Sequence, residues 1–433
     1  MHRSVCALLA IASLLVLPAT AYPLHKEGVE SLQTFSRVLH HILAYYVEAP
    51  EESALIQGAI RGLFETLDPH SSYLSPRVFN SLKAETGGRF GGIGLEVVLR
   101  HGWLTVIAPV DGSPAALAGI KAGDRVVKID GVSTKRMNVS EAVAKMRGRP
   151  GSTVTLTILR RGSRLPVDMA LKRATIQVPS VRGELMAPGY PIVRITSFRE
   201  QTYHDFLETM KTLTREAAIR GLVLDLRNNP GGLLDQAVQM SDYFLRKGVI
   251  VTTESRGKEI DRQEAHDEGL EPEYPVAILV NGGSASAAEI VTGALQDHGR
   301  AVVLGSQTFG KGSVQTVIGF ENGAALKLTV ARYYTPRKRS IQAFGIGPDI
   351  VLPEYHPESE EQGEAEQPRE RGPVRESRLP RHLKGRPAKS GRSRSNGVRI
   401  PAISVEEAGA DYQRAIALHL LQDGTVQRLT HLH

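Results

Sequence analysis

The sequence predicts an α/β protein with a largely parallel sheet, because a strand, a glycine turn and a helix occur twice in the same order. The apolar run 276–280 is followed by Asn-Gly-Gly at 281–283 and by a helical pattern that extends to 296. The predicted strand 221–226 is followed by a turn at 227–232 that ends in Pro-Gly-Gly, and then by a helix that extends to 242. This alternation is typical of α/β cores, in which helices cover parallel strands.

Further segments extend the alternation on both sides. Residues 190–198 and 301–304 are predicted strands, and 202–216 has the spacing of a helix. The apolar segments 312–317 and 326–334 are also predicted strands. We expect these last two strands either to continue the same sheet or to cover the functional site.

Two amphipathic helices are predicted in front of this core, within residues 22–84. Apolar residues recur at three-to-four spacing over 27–47, and again over about 53–67. The apolar stripe of each helix needs a covering surface. Packing on the core and contact between two copies of the chain fit the pattern equally well, so this region is a candidate for homo-oligomer formation.

A further helix is predicted near the C-terminus, within residues 402–433. Ser404 and Glu407 have the spacing of a capping box, in which each side chain bonds the other residue's backbone amide. The helix that follows, to about 421, has an apolar stripe made of Tyr412, Ile416 and Leu420. That stripe needs covering, so we expect the helix to dock on the core or to form a dimer contact.

Residues 1–21 have the features of a secretory signal peptide. Arg3 precedes an apolar run over 5–17, and 19–21 has the small-residue pattern of a cleavage site. The apolar run is shorter than a usual membrane span, and an uncleaved anchor is the alternative. Cleavage would remove Cys6, the only cysteine, and would leave a protein without disulfides or thiol chemistry. We therefore expect an exported, periplasmic protein.

The formal net charge of +7 comes from one segment. Residues 371–399 contain ten Lys/Arg and a single acidic residue, Glu376, so this segment carries +9 and the rest of the chain −2. The charged composition, rich in Pro and Gly, predicts a disordered linker over 354–401. No nucleic-acid partner is expected for an exported protein, whereas contact of 371–399 with an acidic membrane surface fits its charge.

Residues 85–172 change to short strands and glycine turns. The segment 113–131, SPAALAGIKAGDRVVKIDG, resembles a PDZ domain in both sequence and order. In such a domain, glycine-rich amides form a nest for a terminal carboxylate, and the adjacent strand edge pairs with an extended peptide. The predicted carboxylate loop consists of Gly92, Ile93, Gly94 and Leu95. The expected partners are proteins or peptides with small or apolar C-termini.

Two serines, Ser284 and Ser286, lie at the start of the helix that follows strand 276–280. A serine there lies beside amides without helical partners, at the positive end of the helix dipole, which suits a nucleophile whose reaction forms an oxyanion. A helix N-cap is the ordinary alternative for either serine. Candidate bases are His298, about three turns along the helix, and Lys311, which lies between two glycines. A lysine can act as base only if burial lowers its pKa.

Metal-binding motifs do not occur in the sequence. There is no HExxH motif and no pair of CxxC motifs, and acidic residues are not clustered at ligand spacing. The sequence therefore indicates no metal, and no cofactor is expected.

Several motifs together resemble those of the carboxy-terminal processing proteases, which are Ser-Lys endopeptidases with a PDZ domain. They are LVLDLRNNPGG at 222–232, NGGSASAAEIVTGALQD at 281–297, TFGKGSVQ at 308–315 and RYYTP…GIGPD at 332–349. The resemblance covers roughly residues 30–353 in family order. It implies a protease core over 173–353 built of crotonase-like ββα units, with the PDZ domain inserted and helices on both sides. An adaptor protein is a further possible partner.

The resemblance also implies roles for individual residues. The nucleophile is Ser286, the general base is Lys311, and Gln315 orients that lysine. The implied oxyanion donors are the amides of Ala287 and of Gly231 or Gly232. Supporting polar residues behind the site are Glu289 and Asp297. Ala288 departs from the family, in which many members have another serine, but it is not the nucleophile position.

Two other functions are compatible with parts of the sequence. A PDZ scaffold that has lost protease activity would retain the fold, but intact Ser286, Lys311 and Gln315 argue against it. A crotonase-type acyl-transfer enzyme would share the core fold, but the signal peptide and the PDZ domain disfavour coenzyme A chemistry. The mechanism implied by the family is acyl transfer through a serine, followed by hydrolysis of the acyl-enzyme.

Overall fold

The computed structural model describes residues 26–353, 375–386, 400–401, 403 and 411–430, apart from 101, 111, 136, 161–164, 178, 217, 268 and 270. The predicted signal peptide 1–21 and the predicted capping box at 404–407 lie outside the described residues. The chain divides into two compact units, Met1–Leu63 and Phe64–His433.

The helices and strands have the following bounds. The helices are α1 Lys26–Tyr45, α2 Glu52–Phe64, α3 Pro76–Thr86, α4 Pro114–Leu117, α5 Val139–Met146, α6 Thr202–Glu216, α7 Leu234–Asp242, α8 Ala287–Asp297, α9 Tyr412–Gln422 and α10 Thr425–Thr430. The first nine strands are β1 Ser72–Leu74, β2 Arg89–Gly92, β3 Leu95–Arg100, β4 Trp103–Pro109, β5 Arg125–Ile129, β6 Val132–Ser133, β7 Thr153–Leu159, β8 Val167–Lys172 and β9 Ala174–Gln177. The others are β10 Val181–Ala187, β11 Tyr190–Ile195, β12 Leu222–Asp225, β13 Gly248–Ser255, β14 Lys258–Ala265, β15 Val276–Val280, β16 Ala301–Gly305, β17 Ser313–Gly319, β18 Ala325–Tyr334 and β19 Ile350–Val351.

The first unit contains the two predicted N-terminal helices, α1 and most of α2. None of the residues of these helices, all of which the structure describes, is buried. Leu32, Phe35 and Val38 are each about half exposed on α1. An exposed apolar face needs a covering surface, so packing on the core and contact between copies of the chain both stay predictions.

In the second unit, the predicted α/β core is a six-stranded sheet in the order β10-β11-β12-β15-β16-β19. Within this sheet, neighbouring strands are parallel from β11 through β12, β15 and β16 to β19, and only β10 is antiparallel to its neighbour. Each residue of β15 is buried, which explains its continuous apolar sequence, because both faces of a parallel sheet are covered. The carboxyl ends of β12 and β15 lie side by side, so the turns that follow them meet at one edge of the sheet.

Alternate residues of each core strand belong to different apolar layers. Val276, Ile278 and Val280 pack with α6, α7 and α8 on one face. Ala277 and Leu279 pack on the other face with α9 and α10. The alternation follows from the two-residue period of a strand.

The C-terminal helix α9 covers the second face of this sheet. Its apolar stripe, Tyr412, Ile416 and Leu420, is buried in the layer that contains β12, β15 and β16. The described helix begins at Tyr412, where the side chain of Asp411 accepts a hydrogen bond from the Arg414 N–H at 3.1 Å as the N-cap. The sequence left open whether this helix docks on the core or forms a dimer contact, and the buried stripe shows that it docks on the core.

Replacing Ile416 with alanine is expected to lower the free energy of unfolding by about 2–5 kcal/mol, because the side chain is fully buried and leaves a cavity. Chemical denaturation would measure the change. The matched control is His419→Ala on the exposed side of the same helix, for which we expect little effect. Equal stabilities for the two variants would contradict the docking of α9.

The strands β17 and β18 form a separate sheet, so the prediction that they might continue the core sheet is wrong. They pair with each other, and β18 also pairs with β1 and with β13, which forms a hairpin with β14. This hairpin was not predicted, because β14 is mostly exposed and polar and lacks an apolar alternation. The second sheet carries the residues that follow Lys311.

The predicted PDZ domain is a six-stranded sheet, in which β3, β4, β5, β7 and β8 follow one another and β6 pairs with β5. Helix α5 begins with a capping box formed by Asn138 and Glu141 and packs near β3. A short ribbon of β2 and β9 lies where the domain joins the core.

The prediction of a disordered linker over 354–401 is wrong for residues 375–386, which we call the strap. The strap contains a short 3-10 helix, Glu376–Arg378, and the Glu376 side chain is completely buried. A carboxylate is buried only where hydrogen bonds or charges compensate for lost water, so composition alone could not predict this order. Residues 354–374 and 387–399 lie outside the described residues.

Candidate active site

Contacts in the turn after β15 distinguish the two candidate serines. The Ser284 hydroxyl donates to the Leu226 carbonyl at 2.8 Å and accepts from the Asn281 N–H at 3.0 Å. Ser284 is fully buried, so its hydroxyl ties the turn to the end of β12. Ser286 is half-buried and immediately precedes α8.

Ser286 has an unusual backbone conformation. Its φ of 53° and ψ of −114° lie outside the helical and extended regions that most residues adopt. Such a conformation costs about 1–3 kcal/mol and persists only where the surroundings impose it. The Ala285 N–H donates to the Asn229 carbonyl at 2.9 Å, and the Ser286 N–H donates to Glu289 Oε2 at 2.8 Å. These bonds hold Ser286 in a sharp strand-to-helix turn.

The Pro-Gly-Gly turn after β12 lies directly against Ser286. A Cβ atom at Gly231 would lie 2.8 Å from Ser286 Cβ and 2.9 Å from the Ala287 nitrogen. A Cβ atom at Gly232 would lie 1.9 Å from the Phe198 carbonyl oxygen. Glycine is therefore required at both positions for the close approach of the backbones.

The three predicted oxyanion donors differ in the contacts of their amides. The Gly231 N–H donates to Asn229 Oδ1 at 2.8 Å, so it is engaged in this structure, contrary to its predicted role. In the bridge between Phe198 and Gly232, the N–H groups of Phe198 and Leu233 are the donors, and the Gly232 N–H takes no part. Ala287 is the first residue of α8, where an amide has no partner within the helix. Gly232 and Ala287 are therefore the better candidates.

The Glu289 carboxylate joins the serine turn to the lysine loop. Oε2 accepts from the N–H groups of Ser286 at 2.8 Å and Lys311 at 2.9 Å. Oε1 accepts from the Gly310 N–H at 2.7 Å and from the Thr308 hydroxyl. Burial raises the pKa of Glu289 to about 7, and these four hydrogen bonds, which favour the charged carboxylate, oppose that rise. Glu289 therefore fixes the backbones of both predicted catalytic residues.

The pKa of Lys311 is lowered, chiefly because burial penalises its charged form. The positive charge of Lys327 acts in the same direction. The carboxylates of Glu376, Glu289 and Asp68 oppose the shift, because each favours a charged lysine. A lowered pKa is the condition that a lysine must meet to accept a proton near neutral pH.

The predicted contact between Gln315 and Lys311 is not among those of the described residues. The Gln315 side-chain amide donates instead to Ser313 Oγ at 2.9 Å and to Thr329 Oγ1 at 3.3 Å. The Thr329 hydroxyl in turn donates to Asp68 Oδ1 at 2.9 Å. Asp68 was not among the predicted site residues, because 261 positions separate it from Thr329 and no sequence motif joins the two.

Asp297 and His298 lie at the opposite end of α8 from Ser286, about 17 Å along the helix axis. The Asp297 carboxylate pairs with Arg339 at 2.6 Å, and His298 Nε2 lies 2.7 Å from the Val249 carbonyl. These contacts do not support Asp297 behind the nucleophile or His298 as its base.

The PDZ domain has a groove of about 360 Å³ between β3 and α5. The four residues of the predicted carboxylate loop, Gly92, Ile93, Gly94 and Leu95, all line it. Gly94 has a φ of 71°, and its carbonyl accepts from the Ser113 hydroxyl at 3.1 Å, which fixes the loop. The groove wall is mostly apolar, with Val97 on β3 and Val143 and Met146 on α5. An extended peptide with an apolar end fits such a groove.

A strained serine before a helix, bound by the same carboxylate as the backbone of a lysine whose pKa burial lowers, is compatible with a serine-dependent hydrolase. Comparison with known proteins agrees with this class. A family model described as Peptidase family S41 matches residues 189–352, and one described as PDZ domain matches 105–160.

Related proteins carry consistent names. The carboxy-terminal-processing protease of Bartonella bacilliformis is 42% identical over 353 residues, which are 80% of this chain and 81% of the relative. The carboxy-terminal processing protease CtpA of Bacillus subtilis is 36% identical over 334 residues, 76% of this chain and 71% of the relative. A solved structure named photosystem II D1 C-terminal processing protease is 28% identical to this chain. The match spans 75% of this chain and 92% of the solved chain, with a TM-score of 0.46.

The chain belongs to peptidase family S41 and is a carboxy-terminal processing serine protease with a PDZ domain. This confirms the mixed α/β fold class and the enzyme class, and it sets aside the crotonase-type acyl-transfer alternative. Within the described parts of the chain, no helix is long and apolar enough to cross a membrane. Nor do the described residues include a group of three or more His, Cys, Asp or Glu that could hold a metal ion, and the expectation of cofactor-free catalysis stays a prediction.

Proposed function

We propose that the protein is a periplasmic endopeptidase in which Ser286 is the nucleophile, Lys311 is the general base, and the PDZ groove binds the free C-terminus of a protein substrate. The observation that carries the proposal is the Glu289 carboxylate. A single oxygen of this buried group binds the amides of both Ser286 and Lys311. Two residues 25 positions apart are thereby fixed at one point of the fold.

The proposed reaction is acyl transfer to Ser286. Neutral Lys311 removes the hydroxyl proton while Ser286 Oγ attacks the peptide carbonyl carbon. The amides of Ala287 and Gly232 donate hydrogen bonds to the oxyanion. Lys311 then gives its proton to the leaving amine, and the carbon–nitrogen bond breaks. Water attacks the acyl-enzyme with Lys311 as base again, which releases the shortened protein and restores the serine.

Gln315 acts through its neighbours in this proposal. Its hydrogen bond to Thr329 joins β17 to β18, and its bond to Ser313 reaches the first residue of β17, directly after the lysine loop. Thr329 links this pair to Asp68, whose charge also reaches Lys311. Gln315 would therefore orient Lys311 through the start of β17.

The proposed cellular setting rests on the sequence. The signal-peptide features of residues 1–21 support export to the periplasm, and the bacterial relatives are consistent with it. The exposed apolar residues of α1 support a homo-oligomer formed through the N-terminal helices. An adaptor protein that brings substrates remains part of the proposal, as does membrane contact of the basic residues in 371–399.

Labelling with a serine-reactive phosphonyl fluoride tests the nucleophile. The reagent is expected to modify the mature protein once, on the peptide that contains Ser286, as read by mass spectrometry. The Ser286→Ala variant should stay unlabelled, whereas Ser284→Ala, if it folds, should still react. Labelling of any other serine in the wild type would refute the assignment.

Matched peptide substrates test C-terminal recognition. A peptide with a free apolar C-terminus should be cleaved with a kcat/KM about tenfold or more above that of its C-terminal amide, since the amide lacks the carboxylate charge. Val143→Asp places a like charge in the groove and should remove this preference. The control Val132→Asp, at an exposed position of the same domain, should retain it. Equal cleavage of both peptides by the wild type would exclude carboxylate recognition.

A further inference from the structure

The strap begins against the segment that leads to Lys311. The Glu376 N–H donates to the Phe309 carbonyl at 3.1 Å. Arg375 Nη1 donates to Gln307 Oε1 at 3.2 Å. The strap is therefore bonded to the chain two and four residues before Lys311.

The second half of the strap is also held in place. Gln342 Nε2 donates to the Leu383 carbonyl at 3.1 Å. Gly385 lies so close to the Gln342 carbonyl that a Cβ atom would be 2.0 Å from its oxygen. At the end of the strap, Arg386 Nη1 lies 2.9 Å from Glu254 Oε2 on β13. Specific contacts therefore hold the strap at both of its ends and between them.

The buried Glu376 carboxylate is the centre of this contact. Gln342 Nε2 donates to Oε1 at 2.8 Å, and His70 Nε2 lies 2.8 Å from Oε2. The other side-chain atom of Gln342, Oε1, accepts from the Gly312 N–H at 3.1 Å. Glu376 thus reaches the residues on both sides of Lys311, Phe309 through its own amide and Gly312 through Gln342.

We propose that Glu376 is a positioning residue of the protease: the docked strap places it against the 309–312 loop, where it holds the backbone on both sides of Lys311 and brings a negative charge to this part of the site. The proposal rests on the proposed role of Lys311 as base. The negative charge of Glu376 favours the charged form of Lys311, and a charged lysine cannot remove the serine proton, so the docked strap restrains the enzyme near neutral pH. The one acidic residue in the basic segment 371–399 thereby has a defined role.

The effect of Glu376 on Lys311 can be separated from the effects of the other charged groups near the lysine. Burial and the charge of Lys327 lower the pKa of Lys311, and Glu376 is the first of the acidic groups that oppose this shift. The other two acidic groups are Glu289 and Asp68, which remain when Glu376 is changed. His70 is the titratable side chain that bonds Glu376, and it remains as well.

The test is the pH profile of kcat/KM for an unstructured peptide, measured with the full mature chain. Glu376→Gln keeps the size of the side chain and removes its charge, so the pKa of Lys311 should fall further. The acid limb is then expected to move to lower pH, and activity at a pH on that limb to rise several-fold. The matched control is Glu254→Gln, which weakens the contact at the other end of the strap. Glu254 is not among the carboxylates that act on Lys311, so the acid limb of this variant should not move.

The outcomes separate this proposal from the proposed function. Lower activity of Glu376→Gln at every pH, with an unmoved limb, would show a merely structural role and overturn the proposal. Glu376→Ala, which lacks both the charge and the side-chain hydrogen bonds, should move the limb in the same direction if Glu376→Gln does not fold. If Lys311→Ala cleaves normally, the base assignment itself fails. An inactive Lys311→Ala together with an unmoved limb in the Glu376 variants would refute only the role of Glu376.

Discussion

Replacing Lys311 with alanine is expected to lower kcat for peptide cleavage by at least about 10³-fold, because no other group in its position can take the serine proton. Ser286→Ala is expected to have an effect of similar or larger size, and the double variant should be little worse than either single one. Catalytic residues that act as a unit are not additive. Mass spectrometry of the cleaved peptides would measure the rates.

Two controls make this result specific. Lys211→Ala removes an exposed lysine from α6 and should cleave at the wild-type rate. Lys311→Arg keeps a positive charge that does not dissociate near neutral pH, so it should be as inactive as alanine. Arginine activity close to wild type would mean that position 311 supplies only charge, and residual activity in both variants would place the base elsewhere.

Replacing Glu289 with glutamine is expected to give the second largest loss, in both activity and stability. Each Glu289 oxygen accepts two hydrogen bonds, from Ser286 and Lys311 on one side and from Thr308 and Gly310 on the other. The glutamine –NH₂ group can replace only one oxygen, and whichever it replaces, at least one backbone N–H loses its acceptor, at about 1–3 kcal/mol. Misplaced serine and lysine backbones should also reduce kcat by about 10²-fold or more.

The control for this variant is Glu259→Gln. Glu259 is an exposed residue of β14 that pairs with Arg262 and Lys338, and its loss should change neither cleavage nor folding measurably. Thermal unfolding and steady-state cleavage would be measured for both variants. A Glu289→Gln protein with normal kcat would show that the shared oxygen does not position the two residues.

The pH dependence of stability gives an independent measure of Glu289. Its pKa is raised from 4.5 to about 7 on folding, chiefly by burial, so the folded state binds the proton more tightly than the unfolded state. The contribution of this group to the free energy of unfolding therefore falls as the pH rises from about 4.5 to about 7. Glu289→Gln should remove that component, and urea titrations at several pH values would detect the flatter dependence.

Most elements of the core were predictable because their causes are local. The strand Val276–Val280 is apolar throughout because both faces of a parallel sheet are covered, and helix Thr202–Glu216 has the expected spacing. The family motifs around Ser286 and Lys311 identified the two residues that the structure brings to the same carboxylate. Glu289 was expected only to support the site, but its four hydrogen bonds join the turn of Ser286 to the loop of Lys311.

Other predictions failed where the outcome depends on contacts and distances that composition and motif spacing do not show. The contacts that hold the strap include one between Glu376 and His70, which are 306 positions apart. The engaged amide of Gly231 depends on the side chain of Asn229 in the folded turn. Asp297 has the right family spacing, but eleven residues of helix place it far from the serine.

The sequence by itself determined the class of the protein: the α/β core and the PDZ domain follow from short motifs and from the periods of strands and helices, and the resemblance of those motifs to a protease family implies the proposed serine–lysine pair. Only the tertiary structure decided which polar groups surround the lysine, because burial and the nearby charges depend on segments that meet after folding. Asp68, Glu289, Lys327 and Glu376 lie at separate places in the sequence, and their charges act together with burial on the pKa of Lys311. Local pattern determines where a chemical group can be, and the packed fold determines its protonation state.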